Sequence, residues 1–143
     1  MTEQEIQQKL TPEQYEIARE DGTETPFENE YWDNKREGIY VDILDGTPLF
    51  SSTTKYVSGT GWPSFTQPIN AKNIALKEDN TLLTKRTEVE TASTWNHLGH
   101  VFNDGPKEAG WLRYCLNSAA LKFVSKEDME TQWYWEYLSL FEA

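Results

Sequence analysis

The sequence predicts a mainly β fold of antiparallel strands with helices kept to its ends, and three observations carry that expectation. From Gly38 onward apolar residues recur at every second position, the period of a half-buried strand. Turn chemistry punctuates these runs at Asp45-Gly46 and at Asn103-Asp104-Gly105-Pro106. Helix-start chemistry is concentrated in residues 1–20.

Within residues 1–20, Thr11-Pro12-Glu13-Gln14 supplies a capping hydroxyl, a proline suited to the first helical position, and polar residues for the first turn. Few apolar residues accompany it (Ile6, Leu10, Tyr15, Ile17, Ala18), so one or two surface helices are expected. Asp21 to Phe27 reads as a loop laid across the domain, and Asn29-Glu30-Tyr31-Trp32 as one helical turn. Gly38–Leu44 is a strand, Asp45-Gly46 a two-residue hairpin signal, and Thr47–Phe50 the returning partner. Ser58–Phe65 is a loop carrying Trp62, whose backbone the following proline pushes toward extended geometry. Further strands are expected at Ile74–Lys77, Leu82–Val89 and His97–Phe102. Around Cys115 the alternation reads as a strand, a tight turn and a second strand. The aromatic tail, Lys126–Phe141, is expected to form a short helix and an apolar segment docked on the sheets.

A chain of 143 residues is most simply one domain with a sizeable core, residues 1–20 forming a helical extension. Six Trp, seven Tyr and six Phe bring large buried areas to a chain only 37% hydrophobic. A net charge of −11 argues against nucleic acid and anionic membranes as partners, since phosphate binding needs a basic patch. One cysteine forbids an internal disulfide. The N-terminal stretch has neither a basic start nor an apolar core, and no apolar run is long enough to span a bilayer, so a cytoplasmic location is expected.

That single cysteine, Cys115, lies two residues after Arg113 and two before Asn117. Residues two apart share a strand face, so all three side chains are placed to meet in one pocket. A thiol attacks as thiolate, and a neighbouring cation favours that form. An inert core cysteine is the plain alternative. His97 and His100 are the only histidines, and histidine suits proton transfer near neutral pH. Three apart on a regular strand, they would face opposite ways. Gly99 between them is a place for a bulge or a close backbone approach that re-aims one of them. Two histidines and one cysteine at this spacing match no zinc pattern.

Several stretches together carry a resemblance. Gly22-Thr23-Glu24 with Pro26-Phe27, Gly61-Trp62-Pro63-Ser64-Phe65, Arg86-Thr87-Glu88-Val89, His97 through Pro106, and Leu112 through Ala119 follow one another at the spacing of the methionine-R-sulfoxide reductase B family. The chain resembles that family from about Tyr15 to its end. The resemblance implies a β-tent, two antiparallel sheets leaning together with peripheral helices. It implies that Cys115 attacks the sulfoxide sulfur and becomes a sulfenic acid, that Arg113 favours the thiolate, and that His97, His100 or a bound water protonates the departing oxygen. Asp104 would orient the histidines and Asn117 complete the pocket. Trp62 would receive the substrate methyl group, with Phe65 and Phe102 beside it.

Two departures from the family pattern are plain in the sequence. Where many members carry two Cys-x-x-Cys pairs for zinc, this chain has Asp42-Ile43-Leu44-Asp45 and Thr91-Ala92-Ser93-Thr94, so no zinc and no other cofactor is expected. Where many carry a resolving cysteine, this chain has Thr60, so an external reductant is expected, either a thioredoxin-type protein or a small thiol. The implied substrates are oxidised proteins or peptides carrying methionine-R-sulfoxide. Two other readings stay open on the residues alone. One is a Cys115/His100/Asn117 hydrolase, for which the sequence offers no recognisable oxyanion hole. The other is a non-catalytic binding module on the same fold.

Overall fold

The computed structural model describes residues 2–80 and 84–142. Helix α1 spans Glu3–Lys9 and α2 spans Pro12–Arg19. Each opens on a threonine whose hydroxyl accepts from the third helical N–H while that residue's side chain reaches back, so Thr2/Glu5 and Thr11/Gln14 are both capping boxes. Ile6, Leu10, Ile17 and Ala18 point into the core, so these helices are more deeply packed than surface helices.

The strands are β1 (Gly38–Asp42), β2 (Pro48–Ser51), β3 (Lys55–Tyr56), β4 (Ser64–Phe65), β5 (Ile74–Asp79), β6 (Arg86–Thr91), β7 (His97–Phe102), β8 (Arg113–Leu116) and β9 (Leu121–Ser125). They form two antiparallel sheets, one ordered β2-β1-β9 and the other β3-β4-β8-β7-β6-β5. Of the strand expected at Leu82–Val89, Leu82 and Leu83 lie outside the described residues, and β6 begins at Arg86.

The core lies between the sheets and combines aliphatic side chains with the rings of Tyr31, Tyr40, Phe50, Phe65 and Tyr114. Tyr40 of the small sheet meets Phe65 of the large one edge-on, with ring centres 5.1 Å apart. Phe50 bridges the same gap, at 4.8 Å from Phe65 and 5.5 Å from Tyr114. Successive β1 residues face opposite ways. Tyr40 therefore joins the main core, while Ile39 and Val41 face outward. The tail covers that outer face with Tyr134, Tyr137, Leu138 and Phe141, which explains why β1 is buried throughout. The tail's segment Trp135–Phe141 is a 3₁₀ helix, and it leaves Trp133 84% exposed.

Two local expectations are corrected. Asp45-Gly46 falls inside a five-residue connection, residues 43–47, because Asp42 draws the turn around itself. Its carbonyl accepts from Gly46 N and its carboxylate from Leu44 N, both at 2.9 Å. The segment at 29–32 is a turn without a helix. The strand, tight turn and second strand expected around Cys115 are present, and the two strands belong to different sheets. A 3₁₀ turn at Ser118–Ala120 carries the chain from β8 in the large sheet to β9 in the small one.

Candidate active site

Cys115 sits at the middle of the large sheet, paired with Ser64 on β4 and His100 on β7. β4 is the reason Phe65 is no pocket residue. Ser64 shares the face of Cys115, while Phe65 pairs with Tyr114 and points the other way, fully buried against Tyr40 and Phe50. The expectation that Phe65 lines the substrate site is corrected by the two-residue period of the strand.

A cavity of about 210 Å³ opens over Cys115, walled by Thr23, Thr60, Trp62, Arg86, Gly99, His100, Phe102, Arg113, Leu116 and Asn117. Arg113, Cys115 and Asn117 thus meet as their spacing requires. Arg113 lies over the Phe102 ring, 4.3 Å from its centre, and is gripped by Asp104 from Nε to Oδ1 at 2.8 Å and from Nη2 to Oδ2 at 3.2 Å. Burial works against the charge of Arg113, but the Asp104 contact and the neighbouring Cys115 hold its pKa above the ordinary value. Asp104 therefore serves Arg113 and makes no contact with the histidines, contrary to its expected role. The Arg113 hydrogen bond is also what holds the Asp104 carboxyl below the usual range.

The histidines are brought together by an irregularity. On β6 and β7, Val89 pairs with Gly99 and Glu90 with His97, which leaves Leu98 as an extra residue. That bulge turns both imidazoles to one side, with ring centres 5.6 Å apart. Gly99 is also a close approach, since a Cβ there would lie 2.1 Å from the Cys115 carbonyl oxygen. Only His100 reaches the thiol cavity. His97 lines a neighbouring hollow of about 400 Å³ and is 3% exposed, its Nδ1 2.7 Å from Glu88 Oε2. It stands behind His100, away from the thiol cavity and not at the sulfoxide oxygen as the resemblance implies.

His100 Nε2 lies 2.7 Å from Asp79 Oδ2, and Arg86 bonds the same oxygen at 3.2 Å. Burial holds the His100 pKa below the ordinary value, and Arg86 and His97 add to this against the pull of Asp79. The neutral ring then keeps its proton on Nε2, facing the carboxylate, and carries a lone pair on Nδ1. Asp79 and Glu88 bond the two histidines and Arg86 bonds Asp79, partnerships that the sequence does not announce. Asp79 meets Arg86 only through the β5–β6 register, which nothing in the local sequence announces.

Glu24 was a motif member without a role. Its carboxylate accepts from Ser118 N and from Ala119 N, and its carbonyl accepts from Trp62 Nε1 at 3.0 Å. Burial pushes the Glu24 pKa up even though both N–H donors pull it down. Asn117 accepts from Glu24 N at 3.0 Å and donates to Leu98 O at 3.2 Å. The loop at 21–27 is thereby tied to both the end of β8 and the indole.

At Asp42, Asp45, Thr91 and Thr94, where the family pattern would have zinc ligands, the side chains bond one another or their neighbours. Thr94 donates to Asp42 Oδ2, Thr91 and Thr94 hydroxyls are 2.6 Å apart, and Asn96 Nδ2 donates to Asp42 Oδ1 at 2.7 Å. Ser93 donates to Asp45 Oδ2 at 2.7 Å. Elsewhere, donor atoms of Asp21, Glu88 and His97 fall within 4.8 Å of one another. The 2.7 Å His97–Glu88 contact is already a complete hydrogen bond without an ion. Among the described residues no helix is long and apolar enough to cross a membrane.

A β-rich protein with one thiol set among an arginine, an imidazole and an indole defines a thiol-chemistry class. Residues 10–125 match the SelR domain model, and the chain belongs to that family, the methionine-R-sulfoxide reductase B oxidoreductases. A curated Vibrio cholerae protein named peptide methionine sulfoxide reductase MsrA/MsrB is 60% identical over 140 residues, which cover 98% of this chain and 37% of that protein. The chain thus spans just over a third of the length of that relative.

Proposed function

We propose that this chain, acting as one domain, reduces methionine-R-sulfoxide in proteins or peptides to methionine. The observation that carries the reading is the shared cavity of Cys115, Arg113, His100, Asn117, Trp62 and Phe102. At about 210 Å³ it is smaller than the roughly 300–1,000 Å³ of drug-sized ligand sites, a size for one side chain. The Cys115 thiolate attacks the sulfoxide sulfur, whose methyl group lies against the Trp62 indole. Arg113 balances the charge on the attacking sulfur. The oxygen takes up a proton, and the hydroxyl passes to the Cys115 sulfur as the substrate S–O bond and the transient bond between the two sulfurs break. The substrate sulfur gains two electrons and the cysteine sulfur loses two, giving methionine and a Cys115 sulfenic acid. A neutral His100, its Nε2 proton bonded to Asp79, orients a proton-donating water through Nδ1, and donates directly only as imidazolium. Thr60 at the resolving position leaves regeneration to an external thiol, a thioredoxin-type protein or a small thiol. The hydrogen-bonded cluster around Asp42 supports a zinc-free protein, and a lone thiol without a disulfide partner suits the reducing cytoplasm.

The test is turnover on separated R and S methionine-sulfoxide peptides, with Cys115→Ser as control. R-selective reduction that vanishes in the variant is expected. Turnover of Cys115→Ser near the native rate would sink the reading.

A further inference from the structure

A chain of hydroxyls runs from the thiol into the sheet. Cys115 Sγ is 3.7 Å from Thr60 Oγ1, Thr60 Oγ1 is 2.8 Å from Ser58 Oγ, and Ser58 Oγ is 2.7 Å from Ser64 Oγ. Ser64 donates to Trp62 O at 3.1 Å. Ser64 is fully buried, and Thr60 lines the thiol cavity.

Each hydroxyl has one proton and two lone pairs, so the directions are forced. Ser64 spends its proton on the Trp62 carbonyl. Ser58 must then donate to Ser64, Thr60 to Ser58, and the Cys115 S–H to Thr60. Two further lone pairs are used as well, because Ser58 Oγ accepts from Thr60 N at 3.3 Å and Thr60 Oγ1 from Trp62 N at 3.5 Å. Ser58 and Thr60 are thereby saturated, and every proton of the set points away from sulfur.

A thiolate has no proton to give. For Thr60 to donate to it, Ser58 must turn to Thr60 and Ser64 to Ser58, and the Trp62 carbonyl loses its donor. The gain is a hydrogen bond to a charged sulfur in place of one from a weak S–H donor. We infer that Ser58, Thr60 and Ser64 form a hydroxyl relay that reverses direction when Cys115 ionises, with Thr60 as the residue positioned to hold the charged sulfur and the Ser64–Trp62 bond as the restraint on reversal. The inference takes from the reductase reading only that Cys115 works as a thiolate.

The relay predicts opposite signs at its two ends. Removing the Thr60 hydroxyl withdraws the donor to the thiolate. Removing the Ser64 hydroxyl abolishes the bond that reversal has to break. The experiment is the pH profile of Cys115 alkylation by iodoacetamide in the full chain, read by mass spectrometry. Thr60→Val should react about tenfold more slowly than native near neutral pH and converge with it in strong alkali, and Thr60→Ser should stay within about twofold of native. Ser64→Ala should react about fivefold faster near neutral pH. A native-like profile for Thr60→Val, or slowing in Ser64→Ala, overturns the inference. Should Ser64→Ala fail to fold, equal slowing in Thr60→Val and Thr60→Ser overturns it, and recovery in Thr60→Ser alone upholds it. No sulfoxide enters this measurement, so its outcome and that of the R/S turnover assay are separable.

Discussion

Asp104 holds Arg113 in a two-point grip, at 2.8 and 3.2 Å, with the guanidinium carbon 4.3 Å from the centre of the Phe102 ring. Phe102 and Arg113 are directly paired across β7 and β8, and Asp104 follows two residues later in the connecting loop. The loop thus clamps the cation that faces the thiol. Asp104→Asn keeps one acceptor and loses the charge. Because the Asp104 side chain is 64% exposed, solvent screening limits the loss of stability to about 0.5 kcal/mol. Reduction of a sulfoxide peptide should fall about fivefold, through looser placement of Arg113. Urea denaturation and single-turnover rates measure the two effects, and an unchanged rate would show that Arg113 needs no clamp.

Much of this arrangement is legible in the sequence, and the exceptions share a cause. Two-residue periodicity puts Arg113, Cys115 and Asn117 on one face, and that is where they lie. The same periodicity excludes Phe65 once the Ser64–Cys115 pairing is known, but the pairing is a long-range fact. The extra residue at Leu98 that unites the histidines depends on how β6 registers against β7. Asp79 reaches His100 only because β5 is the outer neighbour of β6. Local propensity and spacing set the faces of strands. Register between strands distant in the chain selects which faces meet.

The cluster around Asp42 is expected to stand in for a metal. Asp42 is almost fully buried and accepts from Thr94, Asn96 and Leu44. Purified protein should hold no stoichiometric zinc, and its melting temperature should not respond to chelators. Asp42→Ala leaves the Asn96 amide and the Leu44 N–H unsatisfied, at a cost of about 2–3 kcal/mol. Elemental analysis and urea denaturation test both parts. One equivalent of tightly held zinc would refute the first.

His100 gives the protein a pH signature. Its folded pKa lies below the ordinary 6.5, with burial as the main cause. Between that folded value and 6.5 the unfolded chain binds more protons than the folded one. Stability therefore rises with pH through this window and falls as pH drops through it. In His100→Gln this contribution is gone, so the native protein's stability relative to the variant should shrink on going from about pH 7.5 to about pH 5.5. Paired urea midpoints at those pH values measure it. A gap that widens toward acid would mean that the Asp79 contact outweighs burial.

Regeneration is where the absence of a second thiol has its consequence. Cys115 is the only cysteine in the sequence, and the Thr60 hydroxyl lies 3.7 Å from its sulfur. A sulfenic acid formed there has no internal partner, so it waits for a thiolate from outside. Lys122 and Arg113 are the cations nearest Cys115 in sequence, but Lys122 lies on β9 in the other sheet. Arg113 and Arg86 are the cations that line the cavity. They are the groups able to attract an anionic thiol against a net charge of −11. The waiting acid is also open to further oxidation to the irreversible sulfinic form. Mass spectrometry after one turnover without reductant should find one added oxygen per chain, trappable by a dimedone-type reagent, and one methionine released per chain. Added small thiol should then convert the acid to a mixed disulfide at Cys115 with loss of water. A disulfide-linked pair of chains as the main product would mean that a second Cys115 acts as resolver, and the external-reductant account would fail.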